Sequence, residues 1–208
     1  MNAPYAPILV VEDMPNVLEL LQVTLTFKGY TVITARNGQE ALEVLERETP
    51  SLVITDILMP KLDGYAFVYQ MRNNPKTRYL PVIFLSATYV TSEDKNFAMN
   101  LGASRFIEKP IDTDEFLLTV GELLTQGPLT SPEPLQSQAF YQGYRERLEH
   151  KLRYKNSQIT RTERLIQNLP IEQKAPFQAM LDQSKTDRST IQTELDDVYR
   201  ILDELKKK

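Results

Sequence analysis

The sequence predicts an α/β fold in which five strand–helix units form a doubly wound parallel sheet, followed by a pair of long helices. Three observations carry that prediction. Five short runs rich in apolar or β-branched residues (Ile8–Val11, 31–35, Leu52–Asp56, Val82–Ser86 and 105–107) each precede a stretch of helical spacing. The runs show little polar alternation, as suits strands buried on both faces of a parallel sheet. After a Pro-rich segment at 126–134 the pattern changes to two long helical periods without strand signals.

Each element has a local reason. Residues 15–28 read as the first helix, with Val17, Leu20, Leu21, Thr24 and Leu25 at helical spacing and Gly29 just past its end. Residues 38–48 read as the second, with Asn37 placed to cap it and Ala41, Leu42 and Leu45 turned inward. A third helix spans 64–72, and a fourth spans 93–101 and ends at Gly102. Asp112 caps a last one that reaches Leu124. Successive units of this kind are joined by right-handed crossovers, which puts helices on both faces of the sheet.

Composition narrows the functional classes. A chain of 208 residues with 41% hydrophobic residues can bury a substantial core. The absence of cysteine excludes a disulfide framework, a thiol nucleophile and a cysteine-ligated metal, and is compatible with a reducing compartment. Residues 1–7 lack a charged start and a long apolar run, so no secretion signal is expected. Apolar runs fall far short of the ~20 residues of a membrane span, and the expectation is a soluble cytoplasmic protein with no membrane partner. Residues 1–135 carry 10 Lys+Arg against 17 Asp+Glu, whereas residues 136–208 carry 14 against 11. That asymmetry marks two regions, and the mildly basic, mixed-sign tail makes nucleic acid an unlikely partner.

Ligands of such sheets bind beyond the carboxyl ends of the strands, where strand order reverses. The first strand ends in Glu12-Asp13, the third in Asp56 and the fourth in Ser86, and the fifth leads to Lys109-Pro110. Three carboxylates brought together on one rim cannot all stay ionised without a cation. Oxygen ligands without His or Cys suit Mg²⁺. Lys109 and Ser86 add a point charge and a hydroxyl donor for phosphoryl oxygens, and phosphoryl transfer needs mainly positioning and charge neutralisation. Asp56, a carboxylate at the end of an apolar strand, is therefore the expected phosphoryl acceptor. No Gly-rich phosphate loop is present, so the site does not read as one built for a nucleotide.

In order and spacing, Val10-Val11-Glu12-Asp13, Asn37-Gly38-Gln39-Glu40-Ala41-Leu42, Asp56 with Met59-Pro60 and Asp63-Gly64, Ser86-Ala87, Gly102-Ala103 and Lys109-Pro110 form one set. With them, residues 5–125 resemble the receiver domain of two-component response regulators. The resemblance implies strand order 2-1-3-4-5 and transfer of a phosphoryl group from a kinase phosphohistidine to Asp56. It implies Mg²⁺ held by Asp13, Asp56 and the backbone carbonyl of Leu58, with Glu12 helping directly or through water. It further implies Lys109 and Ser86 on the phosphoryl oxygens, a cis peptide bond between Lys109 and Pro110, and Phe106 as the aromatic switch. Leu58 and Thr88 stand where family members with fast self-dephosphorylation carry Asn and Glu. Neither can align a water, so a long-lived phosphoryl group is expected.

The domain reading is a receiver over 1–125, a Pro-rich linker over 126–134 and a helical hairpin over 135–208. The first tail helix, 135–168, has an apolar seam of Tyr141, Leu148, Leu152, Ile159, Leu165, Ile166 and Leu169, interrupted by Arg145, Lys155 and Thr162. The second has Phe177, Leu181, Ser184, Arg188, Ile191, Leu195, Val198, Leu202 and Leu205, whose steps alternate four and three as in a heptad with polar breaks. Matched lengths favour an antiparallel hairpin or coiled coil, and a hairpin with one seam favours a homodimer. The expected partners are a histidine kinase or phosphotransfer protein and an unknown downstream protein reached through the tail. Two alternatives stand beside this reading: a phosphorelay intermediate whose hairpin carries phosphate on His150, and a coiled-coil scaffold indifferent to phosphorylation. The protein is expected to be a phosphoacceptor that assists its own phosphorylation and dephosphorylation, not an enzyme.

Overall fold

The computed structural model describes residues 5–86, 91–126 and 135–207. Contacts divide the chain into two units, the first ending at Leu135 and the second beginning at Gln136. The first is built on β1 (Ile8–Val11), β2 (Val32–Ala35), β3 (Leu52–Asp56), β4 (Val82–Ser86) and β5 (Arg105–Glu108). Every pairing is parallel, and the order is β2-β1-β3-β4-β5, the one the resemblance implies. β1, β3 and β4 are buried at every position, because both of their faces and both of their edges are covered. Edge strands β2 and β5 are more exposed.

Five helices connect and cover these strands: α1 (Pro15–Phe27), α2 (Gly38–Arg47), α3 (Gly64–Asn73), α4 (Ser92–Asn100) and α5 (Thr113–Gln126). Their starts are chemically set. Asn37 accepts from the backbone of Glu40, Asp63 from Ala66, and Asp112 from Asp114 and Glu115, each at 3.0 Å. One face of the sheet packs Ile8, Val10, Ile54 and Leu85 against Leu21 and Leu25 of α1 and Phe116 and Val120 of α5. Each such side chain contributes about 1.5–3 kcal/mol on burial. The inward set of α1 needs one correction. Leu20 is 65% exposed, because the helical turn of 100° per residue lets Leu21 and Leu25 face the sheet and carries Leu20 off that stripe.

The second unit holds α6 (Ser137–Asn168) and α7 (Lys174–Leu205), 32 residues each, joined through a 3₁₀ turn at Ile171–Gln173. Pairing runs Glu149 with Tyr199, Lys155 with Asp187 and Glu163 with Lys185, so the numbers on α7 fall as those on α6 rise and the hairpin is antiparallel. Pro176 belongs to the second helix. It sits in the first turn of α7, where a missing N–H costs no helical bond. The seams differ in part from the sequence reading. Phe140 and Tyr144, stacked at 5.3 Å, open the buried stripe that continues to Leu148, whereas Tyr141 is only half-buried. Leu165 is 43% exposed, since only one of the adjacent Leu165 and Ile166 can face α7, and Arg188 is exposed. Residues 127–134 of the Pro-rich segment lie outside the described residues. Among the described residues no helix is long and apolar enough to cross a membrane.

Candidate functional site

Strand register assembles the site. Val11 of β1 pairs with Thr55 of β3, so the residues that follow, Glu12 and Asp56, leave the sheet side by side at its carboxyl edge. This is also the point where strand order reverses, with β2 on one side of β1 and β3 on the other. Asp56 pairs in turn with Leu85, and Ser86 with Glu108, which brings the chain to Lys109. The backbone N–H of Lys109 donates to the Ser86 carbonyl at 2.7 Å, and the Lys109–Pro110 bond is cis.

At this edge the Lys109 ammonium donates to Asp56 Oδ1 at 2.5 Å and to Glu12 Oε2 at 2.7 Å. The second Asp56 oxygen, Oδ2, accepts from the backbone N–H of Leu58 at 2.7 Å, and Glu12 Oε1 accepts from that of Met14 at 3.3 Å. Glu12 and Asp56 are buried, with 1% and 5% exposure, while Asp13 is half-buried. One carboxylate oxygen from each of Glu12, Asp13 and Asp56 lies within 4.8 Å of the others.

Electrostatics record the crowding. Burial, and next the Asp56 charge, push the Asp13 carboxyl above its ordinary range. Burial also raises Glu12, with the Asp56 charge adding to it and Lys109 opposing it. For Lys109 burial acts downward, but Asp56 and Glu12 together outweigh it and the ammonium is held more firmly than usual. Carboxylates so close, with no nitrogen or sulfur donor among them, fit a hard divalent cation that adds the positive charge this edge lacks. Mg²⁺ matches that donor set.

Glu12, Asp13, Asp56 and Lys109 thus form one cluster, with buried Ser86 joined to it through the backbone. Phe106 is half-buried on β5, opposite Phe84, and the Leu58 side chain is 47% exposed. Thr88 and Ala87 lie outside the described residues. His150 is exposed on α6.

Two supports escape sequence reasoning. Gly64, the first residue of α3, lies so close to β3 that a Cβ there would meet the Asp56 carbonyl oxygen at 2.2 Å, and its N–H donates to Ile57 at 2.9 Å. Asp63-Gly64 stands among the residues that carry the resemblance, but nothing in the pattern shows this approach. Arg72 is 4% exposed and donates to the carbonyls of Arg78, Leu80 and Gly102 at 2.8–3.0 Å, tying the ends of α3 and α4 to the start of β4. Burial lowers its pKa to about 10. Nothing in an amphipathic helix pattern distinguishes such an arginine from a solvated one.

Comparison with known proteins places this geometry. Residues 8–120 match the family model described as the response regulator receiver domain. Response regulator Rre1 of Synechocystis sp. is 36% identical over 140 residues, covering 67% of this chain and 60% of that protein's length. The matched region therefore spans less than two thirds of this relative's length. The receiver domain of a signal transduction histidine kinase from Syntrophus aciditrophicus is 34% identical with a TM-score of 0.55, covering 63% of this chain and 97% of that one. The receiver domain of a sensor histidine kinase from Pseudomonas aeruginosa is 26% identical with a TM-score of 0.54, covering 58% of this chain and 98% of its own, and is described with a magnesium ion coordinated in the active site cleft. These matches do not favour a phosphotransfer hairpin carrying phosphate on His150, nor a scaffold.

Proposed function

Since this chain belongs to the response regulator receiver family of two-component systems, we propose that Asp56 is its phosphoacceptor and that the helical second unit passes the phosphorylated state on. The observation that carries this reading is the Lys109 ammonium 2.5 Å from Asp56 Oδ1, at the edge where Glu12 and Asp13 converge.

The donor is a phosphohistidine on a histidine kinase or phosphotransfer protein. An Asp56 carboxylate oxygen attacks its phosphorus; the O–P bond forms as the N–P bond breaks, and the bonding pair leaves with the imidazole. The Leu58 N–H fixes the orientation of the Asp56 carboxylate. Lys109, already at the carboxylate, donates to a phosphoryl oxygen once the group arrives, and the Ser86 hydroxyl takes another. Asp13, Asp56 and the Leu58 carbonyl would hold Mg²⁺, with Glu12 as a near neighbour. Bound there, the ion supplies positive charge against the phosphoryl oxygens. Phe106 follows Ser86 inward. The protein then works as a phosphoacceptor that assists its own phosphorylation and dephosphorylation, in the cytoplasm, without turning over a separate substrate.

The tail is proposed to pair with a second copy through its hairpin and to present a surface to a downstream protein. Incubation with acetyl phosphate and Mg²⁺, followed by intact-mass measurement, tests the acceptor. Wild-type protein is expected to gain one phosphoryl group and Asp56→Ala none. An unchanged gain in Asp56→Ala would overturn the assignment.

A further inference from the structure

The two tail helices carry opposite charge. α6 holds seven Lys and Arg against three Asp and Glu, and α7 holds four against seven. Within the hairpin the helices are joined on two flanks, each by one ion pair and one tyrosine–carboxylate hydrogen bond. One carries Glu149–Tyr199 and Glu163–Lys185. The other carries Lys155–Asp187 and Tyr144–Glu194.

The second flank also bears apolar side chains that the hairpin leaves in solvent. On α6, Arg147 and Tyr154 are seven residues apart, two turns along one stripe, and Leu165 follows eleven later in nearly the same direction. On α7, Met180, Asp187 and Glu194 repeat every seven residues. Tyr154 and Leu165 are each 43% exposed, and Met180 is 59% exposed. One face therefore joins a basic–apolar stripe to an acidic–apolar one.

We infer that this face is covered by a second copy of the chain, related by a two-fold axis parallel to the helices, so that each α6 lies against the partner's α7. Two packings of a pair of hairpins keep every neighbouring helix antiparallel. An axis perpendicular to the helices faces α6 with α6 and α7 with α7, setting the net basic helix on its own copy and the net acidic helix on its own. An axis along the helices alternates basic and acidic helices around a four-helix bundle. Backbone geometry does not separate the two packings, and charge does. The size is sufficient: helices of 32 residues are about 48 Å long, and a two-helix face about 20 Å wide covers about 900 Å² per copy, in the range of stable interfaces. This inference rests on the proposed pairing of the tails and specifies its geometry.

Rotation about an axis along the helices leaves height unchanged, so Leu165 of one copy meets Met180 of the other, at the level set by the Glu163–Lys185 pair. Because the chain has no cysteine, single substitutions report this directly. Full-length Leu165→Cys and Met180→Cys proteins, mixed and mildly oxidised, are expected to give mainly the mixed disulfide dimer, with little from either alone. Tyr154→Cys alone is expected to give little. Efficient self-linking of Tyr154→Cys, in protein that light scattering shows to be dimeric, would overturn the geometry while leaving the pairing standing. A wild-type monomer at all concentrations would overturn both. Raising the salt concentration from 0.05 to ~1 M is expected to lower the dimer fraction several-fold; a dimer indifferent to salt would contradict charge as the deciding term.

Discussion

The Lys109 ammonium bridges Asp56 and Glu12, at 2.5 Å and 2.7 Å, so this cation is shared between the acceptor and its buried neighbour. Its removal leaves crowded carboxylates without a counter-charge. Breaking a fully buried pair costs about 3–5 kcal/mol. With the Lys109 side chain 20% exposed, Lys109→Ala is expected to cost about 1–3 kcal/mol in urea unfolding without Mg²⁺. Added Mg²⁺ should recover part of that loss, and phosphorylation of Asp56 should fall steeply even so, because no ammonium meets the phosphoryl oxygen. Unfolding midpoints with and without Mg²⁺, together with phosphoryl yield, check both halves.

The raised Asp13 and Glu12 pKa values set a direction with pH. The folded state holds these protons more tightly than the unfolded chain, whose values are near 3.8 and 4.5. Metal-free stability is therefore lost as pH rises from those values through the higher folded ones. Asp13→Asn removes one such group. Its metal-free melting temperature should exceed wild type at pH 7, and the gap should close toward pH 4. Mg²⁺ should raise the melting temperature of wild type and barely that of Asp13→Asn. The wild-type response should weaken as the pH falls, because protons compete for the same oxygens. Thermal melts across pH 4–8, with and without Mg²⁺, measure each arm.

Two glycines should respond oppositely to alanine. At Gly64 the new Cβ meets the Asp56 carbonyl oxygen at 2.2 Å and Ile57 Cα at 3.0 Å, both backbone atoms that cannot rotate away. Gly64→Ala should cost about 1–3 kcal/mol and slow phosphorylation, since α3 must retreat from the residue it positions. In the middle of α5, a Cβ on Gly121 would meet only the Tyr30 hydroxyl at 3.9 Å. Gly121→Ala should therefore stabilise by about 0.5–1 kcal/mol, because alanine loses less backbone freedom in a helix. Denaturant titrations of the two variants, with phosphoryl uptake of the first, test the contrast.

The phosphoryl group should be long-lived. Leu58 offers no amide or carboxylate to align a water, although its backbone N–H already orients Asp56. Leu58→Asn is expected to speed loss of phosphate several-fold while leaving uptake nearly unchanged. The decay of purified phosphoprotein in Mg²⁺, after removal of the phosphodonor, gives the rate, and a wild-type half-life of seconds would contradict the expectation.

What was legible in the sequence follows a physical divide. Strand identity, helix caps and the residues that end each strand depend on local pattern, so the five units and the positions of Glu12, Asp13, Asp56, Ser86 and Lys109 could be read directly. Facing within a helix is only partly local. Leu20 lost its inward place to Leu21 and Leu25, and Phe140 and Tyr144 took the seam assigned to Tyr141, because packing partners choose among side chains of equal hydrophobicity. Close approach is not local at all: neither the Gly64 contact with β3 nor the three carbonyls held by Arg72 leaves a periodic trace. By itself the sequence determined which residues stand at the carboxyl edge of the sheet. Only the tertiary structure decided that Lys109 would be shared between Asp56 and Glu12, since that choice depends on the register of four strands drawn from distant parts of the chain.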